Sequence, residues 1–154
     1  MLAVAFVCLG NICRSPMAEL IFLDLAKRAG VSSKLLIDSF GTSDEEEGNG
    51  IYPPALKVLS EHGIYGSHTA KQMTLPDVMR FDYILVMEER NRTRLVQNVG
   101  GKYADKIKRL CDYTARPRDV ADPWYTRDFD KAFNDIYDGC KAFLEYLIGE
   151  KKLD

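Results

Sequence analysis

The start of the chain constrains the fold more than any other segment, because an apolar run ends there in a short loop that opens a helix. Leu2 to Val7 reads LAVAFV, which predicts a buried strand. Gly10 lies in the following loop, and Pro16 suits the first turn of the next helix, where its missing N–H would have no partner. Such a strand–loop–helix unit directs backbone N–H groups and the positive end of the helix dipole toward one point. The segment therefore predicts an anion-binding loop at the carboxyl end of the first strand.

Apolar segments and helical patterns alternate along the rest of the chain. Further strands are predicted at Lys34–Ser39, Tyr83–Met87 and Ile107–Leu110, and helices at Pro16–Gly30, Pro54–Gly63, Glu88–Val99 and Asp128–Gly149. This alternation is typical of repeated βαβ units. We expect residues 1–154 to form one α/β domain, with a four-stranded parallel sheet flanked by helices on both faces. Ligands of such sheets bind at the carboxyl ends of the strands, which is where the first loop lies.

Composition excludes several classes of protein. The 154 residues are 46% hydrophobic and 29% charged, as in ordinary soluble domains, and the formal net charge of −2 gives no reason to expect a nucleic-acid partner. Leu2 to Leu9 is too short to span a bilayer and lacks a preceding basic segment, so neither membrane insertion nor a signal peptide is expected. Four cysteines in a domain of this size do not form a secreted disulfide framework, which favours a cytoplasmic location.

The cysteines do not predict a metal site. Cys8 and Cys13 would need two further ligands at recognisable spacing, and His62 and His68 do not provide them. Cys111 and Cys140 lie in apolar periodic segments, and we expect them to be small core residues.

Cys8 and Arg14 bracket the predicted anion loop. Loop N–H groups and a nearby arginine favour the thiolate form of Cys8, which is the nucleophilic form of cysteine. The Arg14 guanidinium carries a planar fork of donors that matches two phosphate oxygens at once. Backbone N–H groups from Leu9 to Arg14 would hold the remaining oxygens, so the loop combines a nucleophile with a phosphate-binding site.

The string CLGNICRS, from Cys8 to Ser15 and followed by Pro16, resembles the signature of the low-molecular-weight protein tyrosine phosphatases. The resemblance implies a flavodoxin-like phosphatase fold and hydrolysis of phosphotyrosine proteins or small aryl phosphates through a phosphocysteine on Cys8. It implies that the protein needs no metal or organic cofactor and acts as a monomer or weak dimer. It also implies that the loop binds inorganic phosphate or other oxyanions through Leu9, Gly10, Asn11, Ile12, Cys13, Arg14 and Ser15. Ser15 either caps the helix or hydrogen-bonds the thiolate, and one hydroxyl can do both.

An alcohol leaving group needs a proton, and Asp122 in the segment ADPWY is the best candidate for the acid. The residues alone favour it only modestly over a turn carboxylate, and the resemblance decides, because the family carries its acid in a DP-aromatic-aromatic loop. Trp124 and Tyr125 are then expected to form a wall of the substrate cleft with Ile12.

Three further residues are expected to support the loop by resemblance to the family. Asn11 tolerates left-handed backbone, Ser39 lies in a segment similar to the family's SAGT, and His68 matches the family's histidine. The resemblance also implies that Cys13 can trap an oxidised Cys8 as a reversible disulfide. The acidic run from Glu45 to Glu47 replaces an aromatic that many relatives carry, and it is either a solvated face or an acidic rim of the cleft.

Three other functions fit these residues less well. An arsenate reductase would need a relay of closely spaced downstream cysteines, and only Cys111 and Cys140 are present. Protein-arginine phosphatases of the same superfamily tend to carry Thr where this chain has Ile12, whose bulk favours a flat aryl ester. A phosphate-binding or phosphocysteine carrier module would not need an acid such as Asp122.

Overall fold

The computed structural model describes all residues, 1–154, as a four-stranded sheet with six α-helices. The strands are β1 (Leu2–Cys8), β2 (Leu35–Gly41), β3 (Tyr83–Val86) and β4 (Ile107–Arg109). The helices are α1 (Arg14–Arg28), α2 (Pro53–Glu61), α3 (Leu75–Arg80), α4 (Glu89–Val99), α5 (Pro123–Thr126) and α6 (Phe129–Gly149). Short 3-10 turns precede β2 and β4 and follow β4. None of the helices is both long enough and apolar enough to cross a membrane.

The predicted fold class is confirmed, and the strand order is β2-β1-β3-β4 with every neighbouring pair parallel. The four predicted strands and four predicted helices are all present, with ends displaced by a few residues. Two helices were missed. The six-residue α3 begins after Thr74, whose N–H and hydroxyl both donate to the Asp77 carboxylate, and α5 is a single turn after Asp122.

The sheet is covered on both faces, which explains the uninterrupted apolar character of β1. Val4, Phe6 and Cys8 belong to a core cluster of 28 residues beneath α1 and α6. Ala3, Ala5 and Val7 point the other way, into a cluster of 11 residues that includes Phe81 and Leu95. Because side chains alternate along a strand, every residue of β1 after Leu2 is buried.

β1 lies between β2 and β3, so the loop after Cys8 has the carboxyl ends of two strands as neighbours. Gly41 ends β2 directly against this loop. A Cβ atom at position 41 would lie 2.8 Å from the carbonyl oxygen of Leu9, so the close approach requires glycine. The topology thus gathers the loops after β1, β2 and β3 at one edge of the sheet.

Candidate active site

In the loop from Leu9 to Cys13 the backbone N–H groups are free, whereas several of the carbonyls are hydrogen-bonded. None of the five N–H groups from Leu9 to Cys13 donates a hydrogen bond within the protein. The carbonyls of Leu9, Ile12 and Cys13, in contrast, accept from Ser43, Tyr52 and Met17 at 3.1, 2.7 and 3.1 Å. Successive free N–H groups before a helix form a concave nest for an anion. The local structure therefore has the free N–H groups that an anion-binding loop, the role predicted from the sequence, would need.

Cys8 lies at the mouth of this loop, at the end of β1. Its Sγ is 3.0 Å from Ser15 Oγ, in the first turn of α1. Ser15 is fully buried, and its hydroxyl also accepts a hydrogen bond from Asn11 Nδ2 at 2.8 Å. With Asn11 donating to this oxygen, the Ser15 proton has two acceptors in reach. These are the Cys8 sulfur at 3.0 Å and the Phe40 carbonyl at 3.4 Å, and the sulfur is the nearer. This geometry favours the second of the two roles considered for Ser15.

Asn11 is the centre of the network that holds the loop. It is 1% exposed and has a φ of +59°, a left-handed conformation that asparagine tolerates better than most residues. Its Nδ2 donates to Ser15 and to Ser39 Oγ at 3.1 Å, and its Oδ1 accepts from the Lys71 N–H at 3.0 Å and lies 2.7 Å from His68 Nε2. The structure thus brings together Asn11, Ser39 and His68.

Glu19 completes this network, and the sequence reasoning missed it. Its Oε1 accepts from Ser39 Oγ at 2.6 Å and lies 3.1 Å from His68 Nδ1. Glu19 follows Ser15 by one helical turn and so shares its face of α1, a spacing that was available as a signal. Glu19, Asp38 and His68 also place three potential metal ligands within 4.8 Å of one another. All three already have partners, since Asp38 accepts from Lys71 Nζ at 2.7 Å.

Arg14 is 2% exposed, although it carries a full charge. Its Nη1 donates to the carbonyl of Val120 at 2.8 Å and lies 3.4 Å from Glu88 Oε2, while its Nη2 lies 3.4 Å from Asp122 Oδ2. Burial opposes the charge, but the negative charges of Cys8, Asp122 and Glu88 outweigh it and raise the pKa of Arg14 above its ordinary value. The guanidinium is therefore permanently charged and held from three sides.

Glu88 is a second residue that the sequence reasoning missed. It follows β3, and its neighbour Met87 donates its N–H to the carbonyl of Val7 in β1. The acidic run after the third strand was visible in the sequence. The position of Glu88 beside Arg14 depends on the pairing of β3 with β1, which could not be predicted from the sequence.

Asp122 is the residue before α5, and it holds the turn that presents it. Its Oδ1 accepts from the Trp124 N–H at 3.0 Å, which leaves Oδ2 facing Arg14. Trp124 and Tyr125 are 53% and 78% exposed, so neither is a core residue. Tyr52 packs against this wall at 5.2 Å between its ring and that of Trp124, and it was not predicted.

These side chains enclose a cleft of about 240 Å³. It is lined by Cys8, Leu9, Gly10, Ile12, Cys13, Arg14, Glu45, Glu46, Tyr52, Asp122, Trp124 and Tyr125. The predicted nucleophile, cation, acid and cleft residues therefore share one cavity. Of the acidic run, Glu45 and Glu46 line the cleft, which makes it a rim and not only a solvated face.

Cys13 also lines the cleft, as does Cys8. Burial raises the pKa of the Cys13 thiol to about 12, and the nearby Cys8 adds to the shift. All four cysteines are free thiols, and Cys111 and Cys140 are buried in the core as predicted.

Comparison with known proteins agrees with this site. The family model for low molecular weight phosphotyrosine protein phosphatase matches residues 3–153. The chain is 40% identical to the low molecular weight protein-tyrosine-phosphatase YfkJ of Bacillus subtilis, over 99% of this chain and 100% of that protein. It is also 40% identical to the low molecular weight phosphotyrosine protein phosphatase of Sus scrofa, over 93% of this chain and 94% of that one.

Solved structures of phosphatases also superpose closely on this chain. The crystal structure of YfkJ superposes with a TM-score of 0.94 over 98% of this chain and 97% of YfkJ. The YwlE arginine phosphatase, solved with a phosphorylated serine in its active site, superposes with a TM-score of 0.89 at 26% identity, over 99% of this chain and 100% of YwlE. With a family model spanning nearly the whole sequence and relatives at 40% identity, the chain belongs to the low molecular weight phosphotyrosine protein phosphatase family.

Proposed function

We propose that the chain hydrolyses phosphotyrosine and small aryl phosphates through a phosphocysteine on Cys8. The observation that carries the proposal is the set of five unpartnered N–H groups from Leu9 to Cys13, in the loop that directly follows Cys8. Phosphoryl transfer depends mainly on positioning and on stabilisation of charge, and this loop supplies both without a metal ion. Arg14 adds the cation, and Asp122, 3.4 Å from Arg14, adds the proton donor.

In the first half-reaction the Cys8 thiolate attacks phosphorus. The sulfur–phosphorus bond forms as the bond between phosphorus and the phenol oxygen breaks, while the loop N–H groups and Arg14 hold the phosphoryl oxygens. Protonated Asp122 gives its proton to the departing oxygen, so that a neutral phenol leaves. The Asp122 carboxylate that results is the base for the next step.

In the second half-reaction water replaces the sulfur. Asp122 takes a proton from a water molecule, the water oxygen bonds to phosphorus, and the sulfur–phosphorus bond breaks. Ser15 Oγ, 3.0 Å from Cys8 Sγ, donates a hydrogen bond to the thiolate that leaves. Inorganic phosphate remains in the loop and then departs, and Asp122, which now carries the proton taken from water, is ready for the next cycle.

Phosphoarginine is the second candidate substrate, and a specific finding favours testing it. Solved structures of arginine phosphatases superpose on this chain at 26% and 28% identity. Ile12 lines the cleft, and its branched side chain narrows the space beside the phosphate loop. We propose that this bulk favours a flat aryl group over the guanidinium of phosphoarginine.

The test is a panel of peptides identical except for phosphotyrosine, phosphoserine or phosphoarginine, with para-nitrophenyl phosphate as a small substrate. Wild type should hydrolyse the phosphotyrosine peptide and para-nitrophenyl phosphate best. Cys8→Ser should lose about 10⁴-fold or more in kcat, because the nucleophile is gone. Substantial activity in Cys8→Ser would overturn the mechanism, and a preference for phosphoarginine would overturn the substrate assignment.

We further propose a cytoplasmic location, supported by four cysteines that are all free thiols in a protein whose active loop needs one of them reduced. The oxidation partner of Cys8 is proposed to be Cys13, since both line the same cleft. The chain is proposed to act as a monomer or weak dimer, with phosphoproteins, aryl phosphates and inorganic phosphate as its ligands.

A further inference from the structure

A second cleft, of about 290 Å³, adjoins the catalytic one. The two clefts share Leu9, Asp122 and Tyr125, so a molecule seated in the first can extend into the second. The second cleft is lined in addition by Thr42, Glu88, Arg90, Asn91, Arg94 and Thr126. The mechanism above uses only Asp122 of these residues as a reacting group.

Arg90 and Arg94 give this second cleft its charge. They stand one helical turn apart on α4 and therefore on one face of it. Both are exposed, and neither makes a hydrogen bond or an ion pair within the protein. Arg92, between them, instead donates to the carbonyls of Ile107 and Ala104 at 3.1 and 3.3 Å.

The carboxylates of the second cleft do not contact these arginines, and together with Arg14 three guanidinium groups stand against the two carboxylates Glu88 and Asp122. Glu88 and Asp122 both lie 3.4 Å from Arg14 and are paired with it. The cleft therefore has two guanidinium groups with no acidic partner. Guanidinium forks are well matched to carboxylate and phosphate oxygens.

Thr42, which also lines this cleft, is an independent sign of an absent partner. It is 2% exposed, and its Oγ1 is the one buried side-chain oxygen or nitrogen in the structure without a hydrogen bond. Its backbone is fixed, because its carbonyl accepts from Gln72 Nε2 and Asn98 Nδ2 at 3.1 and 2.9 Å. An unpaired buried hydroxyl is unfavourable, so Thr42, a residue of the cleft lining, keeps an unused hydrogen-bonding group.

The acidic residues Glu45 and Glu46 line the catalytic cleft but not the second cleft. A substrate group with negative charge is therefore repelled by one cleft wall and attracted by the arginines of the other. The charge pattern orients such a substrate.

We infer that the cleft of Arg90 and Arg94 is a subsite for a second anionic group, a carboxylate or a phosphate, on the same substrate as the scissile phosphotyrosine. The inference rests on the proposed function. It gives the enzyme a preference for phosphotyrosine beside an acidic or phosphorylated residue.

The experiment compares kcat/KM for phosphotyrosine peptides that carry glutamate, phosphoserine or glutamine at matched positions on either side of the phosphotyrosine. For the wild type, the anionic peptides on one side should exceed the glutamine peptide by about three- to tenfold at low salt, as expected for two exposed ion pairs, and the advantage should shrink at high salt. The glutamate and phosphoserine arms show which anion the subsite takes.

The double variant R90Q/R94Q should bring the ratio of anionic to neutral kcat/KM close to one. The control K27Q/K141Q removes the same charge from exposed lysines outside both clefts, and it should keep the wild-type ratio. Equal kcat/KM for anionic and neutral peptides in the wild type, or a ratio that R90Q/R94Q leaves unchanged, would overturn the subsite. Hydrolysis of para-nitrophenyl phosphate, which has no second anion, tests the proposed function separately.

Discussion

Arg14 Nη2 lies 3.4 Å from Asp122 Oδ2, so the proposed phosphate-binding cation is paired with the proposed proton donor. A substrate phosphoryl group that binds to Arg14 competes with Asp122 for the guanidinium. The same Arg14 keeps contact with Glu88 at 3.4 Å and with the Val120 carbonyl at 2.8 Å, and neither of these is needed by the substrate. We therefore expect Arg14 to keep its position when the substrate phosphoryl group replaces Asp122 as a partner of the guanidinium.

Asp122→Asn removes the proposed acid while keeping the size of the side chain and an oxygen for the Trp124 N–H. We expect kcat to fall by about 10²- to 10⁴-fold, the usual contribution of general acid–base catalysis. The loss should be larger for phenyl phosphate than for para-nitrophenyl phosphate, because nitrophenolate leaves more easily without a proton. Asp128→Asn is the matched control, since Asp128 caps α6 in the same way and accepts from the Lys131 N–H at 2.9 Å. Equal losses for the two substrates would contradict the acid role.

Glu88→Gln tests whether Glu88 positions Arg14. Without the Glu88 charge, Arg14 pairs with Asp122 alone, and this pairing restrains the carboxyl group that has to reach the leaving oxygen. We expect kcat to fall by about three- to tenfold, comparable to one partly buried ion pair, while KM stays the same or falls. Glu89→Gln is the control, because Glu89 is exposed and pairs with Arg92. A rise in KM with an unchanged kcat would show that Glu88 does not act through Arg14 in this way.

Asn11→Ala should lower the stability of the protein by more than the small size of the lost side chain suggests. The change removes the Asn11 contacts to Ser15, Ser39, Lys71 and His68, and it leaves alanine at a φ of +59°. The free energy of unfolding should fall by about 2–4 kcal/mol, and KM for para-nitrophenyl phosphate should rise. Asn49→Ala, at an exposed residue, should change stability by less than about 0.5 kcal/mol in the same urea titration. Similar stability for both variants would rule out the central role of Asn11.

Cys13→Ser tests protection against oxidation. Peroxide converts the Cys8 thiolate to a sulfenic acid, and the Cys13 sulfur then displaces water to form a disulfide that dithiothreitol reduces. Wild type should recover its activity after mild peroxide, whereas Cys13→Ser should recover only in part. Equal recovery in both proteins would exclude the disulfide.

The same reaction should depend on pH, because the attacking form of Cys13 is its thiolate. With the pKa of Cys13 raised to about 12, the thiolate fraction rises about tenfold for each pH unit below that value. The rate of disulfide formation after a peroxide pulse should therefore increase steeply from pH 6 to pH 9. A rate that levels off near pH 8 would indicate that Cys13 is not the resolving thiol.

Particular residues show which parts of the fold and of the site can be predicted from the sequence. The predictions for β1, the loop and Asn11 depend on local pattern and on a short signature, and the structure has β1 at the predicted place and Asn11 in contact with Ser15, Ser39 and His68. Glu88 and Tyr52 could not be found in this way, because their positions depend on which strand lies beside β1 and on how α2 begins. Among 23 acidic residues, no local signal singles out Glu88 as a partner of Arg14. The missed helix α3 did have a signal, Thr74 followed by Pro76 and Asp77.

The loop from Leu9 to Cys13 is held by Asn11 and by carbonyl bonds to Ser43, Tyr52 and Met17, all of which form without any substrate. Its binding geometry is therefore set for the tetrahedral oxyanion and not for the group attached to it. Free phosphate meets the same donors as a phosphoryl ester, so we expect the product to compete with the substrate. Turnover would then fall as the phosphate concentration rises, and vanadate or arsenate would bind to the same donors.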